Sequence, residues 1–199
     1  MAEQAQTAAA GRSRRLDGER EQAILRAAYE LLGETGYQGL RVDAVAARAQ
    51  ASKATLYRHW PTKAELVADA VRACKAADVG VPDTGSLRGD LIAWFEGLAC
   101  AIEGDSGPIL AGLFMAMRNE PELAAQLRPM ADSRKPHAEA ICVRAESRGE
   151  LRPGYDVGLI EEIVPAQLFM HCFAFGRPLD PPFIEHLVDD IILPLLTRS

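Results

Sequence analysis

Apolar side chains recur at three- and four-residue steps along most of this chain. Ile24, Ala28, Leu31 and Leu32 form one stripe in a segment that turns helical at Asp17, the mark of an amphipathic helix. The stretch GETGYQG (33–39) ends it, with Gly36 placed for a C-cap. Val42, Val45, Ala46 and Ala49 predict a short second helix over 42–49. Ser52 stands where an N-cap belongs, ahead of a third short helix over 53–60 that Pro61 halts. Helix resumes at Lys63, with Leu66, Val67, Ala70, Val71 and Cys74 on one face, and GVPDTGS (80–86) reads as a linker. Further helical patterns fall at about 87–103, 108–119, 121–148, 157–175 and 181–197. Sustained alternation, hairpin signals and β-branched runs are lacking, so the predicted fold is all-α.

Charge divides the chain. The net charge is −6 over 199 residues, yet residues 1–80 carry a net +2 and residues 81–199 a net −8. Between 41 and 63 five cations (Arg41, Arg48, Lys53, Arg58, Lys63) face one acid, Asp43. A basic patch on an acidic body steers toward phosphates while the body stays soluble. Three parts are expected: a flexible basic arm over 1–17 bearing Arg12, Arg14 and Arg15, a small helical module over 18–78, and a helical domain over 79–199. The arm suits either a minor groove or plain solvation. No apolar run approaches a membrane span, and the first residues lack the apolar core of a secretory signal. Cys74, Cys100, Cys142 and Cys172 are too scattered for a zinc or disulfide framework. They fit free thiols in a reducing cytoplasm.

The densest chemistry is SKATLYRHWPTK (52–63), which combines hydroxyls, three cations and flat rings. A core does not use so many polar side chains, and a solvated helix does not use two aromatics. A nucleic-acid backbone suits both. Helices at 42–49 and 53–60 joined by a tight turn make a helix-turn-helix, motif 41–60, whose second helix enters the major groove. Lys53 can donate to guanine O6 and N7, Thr55 can bond a base edge, and Ala54 can touch a thymine methyl. Ser52 caps the helix; Tyr57, Arg58, His59 and Lys63 lie where phosphates pass, and Arg41 offers another phosphate contact. Leu56 and Trp60 face inward.

AILRAAYELLGETGYQG followed by LRVDAVAARAQASKATLYRHWPTKAELVADAV closely resembles the DNA-binding domain of the TetR (tetracycline-repressor) family. The match covers about residues 18–78, and TLYRHWPTK is its most diagnostic run. The resemblance implies that Tyr57, His59 and Lys63 contact phosphate. It also implies a C-terminal helical domain for ligand binding and dimerisation. Two positions depart from the family: Gln50 replaces the usual turn glycine, and Arg41 replaces a threonine that would cap the second helix.

In the C-terminal part Trp94, Leu98, Phe114, Met117, His137, Ile141, Phe169 and Phe173 are bulky, soft or aromatic. Spacing alone fits a core as well as a pocket, and the resemblance points to an effector cavity among them. The segments at 157–175 and 181–197 are apolar on more than one face. A homodimer through the last two helices explains that, with Leu168, Cys172, Leu187, Ile191 and Leu195 expected at the interface.

Enzymatic signals are weak. GDSGP (104–108) looks like a protease nucleophile loop but punctuates two helices. His171 next to Cys172 lacks a second ligand at helical spacing and reads as a core histidine, so no metal or cofactor is expected. The sequence thus describes a homodimeric, effector-responsive repressor of a palindromic operator, in the cytoplasm, without catalysis. The rivals are a DNA-binding protein with no effector and a small helical enzyme using His137 or His171.

Overall fold

The computed structural model describes residues 2–74, 80–132, 135–151 and 154–197, with the side chains of 2–17 and 131–132 outside that description. The described residues are helical and contain no strand. The helices are α1 (Ala2–Gly39), α2 (Val42–Arg48), α3 (Lys53–His59), α4 (Lys63–Cys74), α5 (Leu87–Glu103), α6 (Ser106–Met117), α7 (Pro121–Asp132) and α8 (Lys135–Ser147). They continue with α9 (Gly158–Phe169) and its π-helical extension Met170–Ala174, then α10 (Pro181–His186), a π-helical segment Leu187–Ile192, and α11 (Leu193–Thr197). No single helix among the described residues is long and apolar enough to cross a membrane. Contacts divide the chain into two compact units, residues 1–75 with 112–127, and residues 76–111 with 128–199. The stretch 112–127 packs with the N-terminal helices.

In the N-terminal unit α1 packs chiefly on α4. Its core holds Ile24, Ala28, Leu32, Val45, Leu56, Trp60, Leu66 and Val67. The backbone of residues 2–16 is helical, where a flexible arm was expected; alanine, glutamine and arginine are strong helix formers. Gly36 breaks α1 with φ 66 and ψ 176, a conformation that costs other residues steric strain. The Thr62 hydroxyl caps α4 by accepting from the Glu65 amide at 3.2 Å. Together with Glu65 this is the sequence pattern of a capping box. Trp60 is locked by its indole N–H, which donates to Asp69 Oδ2 at 2.8 Å.

The C-terminal unit is built around Leu87, Leu91, Phe95, Ile141, Ile160 and Ile184, all essentially without exposed surface. Ser86 caps α5 and Asp180 caps α10, each accepting a backbone N–H at 3.1 Å. Over the expected helix at 121–148 the structure describes α7 and α8, which stand on either side of residues 133–134, outside the described residues. The π-helical segment at Leu187–Ile192 precedes Pro194, which supplies no N–H for the ordinary bond back to residue 190. Gly107 of GDSGP is a packing requirement, since a Cβ there would overlap the Ile102 carbonyl. The motif is a sharp turn between α5 and α6, not a nucleophile loop.

Asp90, fully buried, organises the segment that precedes α5. Its Oδ1 accepts from the Thr84 amide at 2.6 Å and the Thr84 hydroxyl at 2.8 Å. Oδ2 faces the Arg148 guanidinium at 3.4 Å and that of Arg144 at 3.7 Å. Arg144 also donates to the Pro82 carbonyl, and Glu150 accepts from the Leu87 amide at 2.6 Å. Burial pulls the Asp90 carboxyl upward, but the two Thr84 bonds and the two arginines outweigh it and hold the carboxyl below its ordinary range.

Candidate nucleic-acid interface

The turn between α2 and α3 is closed by backbone bonds. The Ala51 amide donates to Ala46 O at 2.9 Å and the Gln50 amide to Ala47 O at 3.2 Å, the paired bonds of a Schellman motif. Gln50 sits at its left-handed position with φ 50. Glycine takes that conformation freely; glutamine is strained by roughly 1 kcal/mol. Arg41 occupies the N-cap of α2 and makes no side-chain cap bond, which leaves the first amides of α2 without the bond that a threonine would supply.

Ser52 caps α3, its Oγ accepting from the Thr55 amide at 3.1 Å and lying 2.8 Å from the Thr55 hydroxyl. Leu56 is fully buried and Trp60 nearly so, which fixes the rotation of the helix. Ser52, Lys53, Ala54, Tyr57, Arg58 and His59 are consequently exposed, and Thr55 is half-buried. Half of the Tyr57 surface is open to solvent. Arginine is only a donor, so the 3.3 Å contact between Arg58 Nη2 and His59 Nε2 uses the lone pair of the imidazole.

Several cations of the patch have partners within the protein. Lys53 Nζ meets Asp43 Oδ2 at 2.6 Å, and the bond to Asp43 raises the Lys53 pKa. Arg48 grips Glu34 of α1 through two bonds, 2.5 and 3.0 Å long. Lys63 has partners of another kind. Its ammonium points inward, donating to the carbonyls of Tyr37 at 2.7 Å and Leu40 at 3.3 Å, and lies 4.2 Å from the centroid of the Tyr37 ring. Burial lowers its pKa, with Glu120 opposing. Lys63 thus holds the last turn of α1 by supplying donors to orphan carbonyls. A long alkyl stem lets a lysine head turn either way, which sequence spacing does not register.

Arg20 of α1, unassigned from the sequence, lines a cleft together with Thr55, Arg58 and His59. The signal was faint: Arg20 precedes the core residue Ile24 by one helical turn.

The expected pocket residues are dispersed. Trp94 and Ile141 are buried in the core of the C-terminal unit, with Leu98 and Phe169 partly buried against it; His137 is half-buried. Phe173 is 39% exposed, its ring 5.1 Å from that of Phe169. Phe114 and Met117 fall in the N-terminal unit. Phe114 is 65% exposed, while its neighbour Leu113 takes the buried position on α6. Two interface expectations need correction as well: Leu168 and Leu187 fill the core of their own unit. Cys172 and Ile191 are half-buried, and Leu195 is exposed, as are Met170, Phe173 and Phe175. His171 stacks on Phe183 with centroids 3.7 Å apart, and no cluster of three metal-ligating side chains occurs among the described residues.

Residues 24–70 match the family model described as bacterial regulatory proteins, tetR family, and residues 81–191 match the tetracyclin repressor-like C-terminal domain. An uncharacterized HTH-type transcriptional regulator of Mycobacterium tuberculosis is 38% identical over 182 residues, covering 90% of this chain and 89% of that protein. The DNA-binding transcriptional repressor TetR of Mycobacteroides abscessus is 38% identical over 179 residues, covering 89% and 94%. Among solved structures, the TetR family transcription regulator SCO0332 superposes with a TM-score of 0.66 at 29% identity, covering 89% of this chain and 98% of that one.

Proposed function

Because the chain belongs to the TetR family of DNA-binding transcriptional regulators, we propose that it is a repressor that binds a palindromic operator as a homodimer and leaves it when a small, largely apolar effector binds. Its domains and relatives are those of regulators, which are not enzymes. The observation that carries the reading is the exposed surface of α3, with Lys53, Ala54, Tyr57, Arg58 and His59 open while Leu56 and Trp60 anchor the helix from behind. The M. abscessus relative is a repressor, which supports the same sign of regulation here. Its place of action is the cytoplasm, where the operator is.

The dimer reading is supported by exposed Met170, Phe173, Phe175 and Leu195, apolar side chains that a second copy would cover. Twofold pairing would set two α3 helices one DNA turn apart, about 34–36 Å, so small shifts misplace one reader. An effector bound near Trp94, Leu98 and Phe169 would act through that spacing. A coupling of about 1–3 kcal/mol is typical of such control, and operator DNA must weaken the effector by the same factor. The rival reading, a regulator without an effector, is favoured by the complete burial of Ile141 and the near-complete burial of Trp94.

Selection of duplexes from a random pool, joined to sedimentation of the free protein, tests the reading. A palindromic consensus and a dimer are expected. A single unrepeated site and a monomer at micromolar concentration would overturn it. Titration of Trp94 fluorescence with a panel of apolar compounds, with and without the selected operator, decides between the two forms of control.

A further inference from the structure

Trp60 closes α3. Its backbone leaves the helix at φ −128 and ψ 92, and its amide still donates to the Leu56 carbonyl at 2.8 Å. The residue is 4% exposed, and its indole N–H donates to Asp69 Oδ2 at 2.8 Å. Asp69 stands on α4, and its other oxygen, Oδ1, accepts from Arg72 Nε at 3.1 Å and from Arg72 Nη2. The carboxylate is thus held on one side by Arg72 while it holds Trp60 on the other. The helix that carries it is anchored in turn. Lys63, at the start of α4, donates to the Tyr37 and Leu40 carbonyls around the end of α1, and Leu66, Val67 and Ala70 are buried. A fixed helix therefore supplies the acceptor that ties down the end of α3.

We propose that Asp69 is a positioning residue for base reading, setting through Trp60 the angle at which α3 meets the major groove; this role rests on the operator-binding reading above. Leu56 and the Trp60 ring keep α3 on its scaffold by burial, but apolar contact is non-directional. The indole bond is directional and weakens steeply off its axis. From Trp60 back to Lys53 the helix runs about 10 Å, so a tilt of about 10° at Trp60 carries the first turn roughly 2 Å sideways. Attraction to phosphates survives such a displacement, because charge acts over the Debye length of about 10 Å. A hydrogen bond to a base edge does not survive it. The charge of Asp69 has the sign that a duplex repels, so its contribution runs through the ring it holds.

Asp69→Ala, Asp69→Asn and Trp60→Phe test this in the full chain. Affinity is measured for the duplex that wild type selects from a random pool and for a mixed-sequence duplex, and the ratio of the two is read. A variant that merely loses folded protein lowers both affinities alike, and the ratio cancels that loss. Asp69→Ala is expected to lower the ratio about tenfold, the weight of a misplaced base contact, with mixed-sequence affinity no weaker. Asp69→Asn keeps an acceptor for the indole N–H and restores the ratio. Trp60→Phe keeps a ring without the donor and lowers the ratio as Asp69→Ala does; it carries the test alone if Asp69→Ala does not fold. The two losses are not additive when combined, because both remove one bond. An unchanged ratio in Asp69→Ala or Trp60→Phe, a loss that Asp69→Asn shares in full, or losses that add in the double variant each overturn the role of Asp69. Wild type that selects no duplex overturns the operator-binding reading, and this role with it.

Discussion

Lys53 Nζ lies 2.6 Å from Asp43 Oδ2, so an acid of α2 neutralises the leading cation of α3. In DNA the lysine has to exchange that carboxylate for a phosphate or a base edge. Asp43→Asn is expected to tighten binding to mixed-sequence duplex several-fold and to steepen the salt slope by about 1 per half-site, because a previously paired cation then releases counterions. Unchanged affinity and slope would show that Lys53 stays clear of the duplex.

Gln50 holds a left-handed conformation at φ 50. Gln50→Gly removes the strain but adds freedom to the unfolded chain, which partly cancels the gain. A net stabilisation of about 0.5–1 kcal/mol is expected, seen as a higher urea midpoint with the same m-value. A lower midpoint would mean that the side chain makes a compensating contact.

Lys63 serves the carbonyls of Tyr37 and Leu40. Lys63→Ala should therefore weaken the fold and spare the salt dependence of DNA binding. Hydrogen bonds from charged donors contribute about 1.5–3 kcal/mol; partial solvation of this ammonium reduces the expected loss to about 1 kcal/mol. A reduced salt slope with unchanged stability would return Lys63 to the phosphate clamp.

The Asp90 carboxyl is held below its ordinary value of 3.8 in the folded protein. The unfolded chain therefore takes up this proton first as pH falls. The stabilisation is complete above about pH 4 and disappears as pH drops through the lower folded value. Urea midpoints of wild type should fall across this acid range, and those of Asp90→Asn should fall less. At neutral pH Asp90→Ala should cost about 3 kcal/mol, the low end for a broken buried pair, because both arginines are partly solvated. Parallel pH profiles for wild type and Asp90→Asn would contradict this account.

The helix-turn-helix was legible because its signals are local. Ser52 as a cap, Leu56 and Trp60 as anchors, and a left-handed Gln50 each follow from a few neighbouring residues. The C-terminal unit was less legible. An apolar stripe shows that a helix side is covered, not whether its own chain or another covers it; hence Leu168 and Leu187 were assigned to an interface and lie in the core. Asp90 went unnoticed because its partners Thr84, Arg144 and Arg148 come from two separate stretches of sequence.

Every phosphate along a chromosome attracts the cations of this module equally, whatever the bases between. Glu34 on Arg48 and Asp43 on Lys53 subtract from that common attraction. With about a million or more competing sites in a genome, the unspecific term decides how much protein is idle on the wrong DNA. On the operator-binding reading, these two acids would lower the number of molecules a cell has to make to keep one operator occupied.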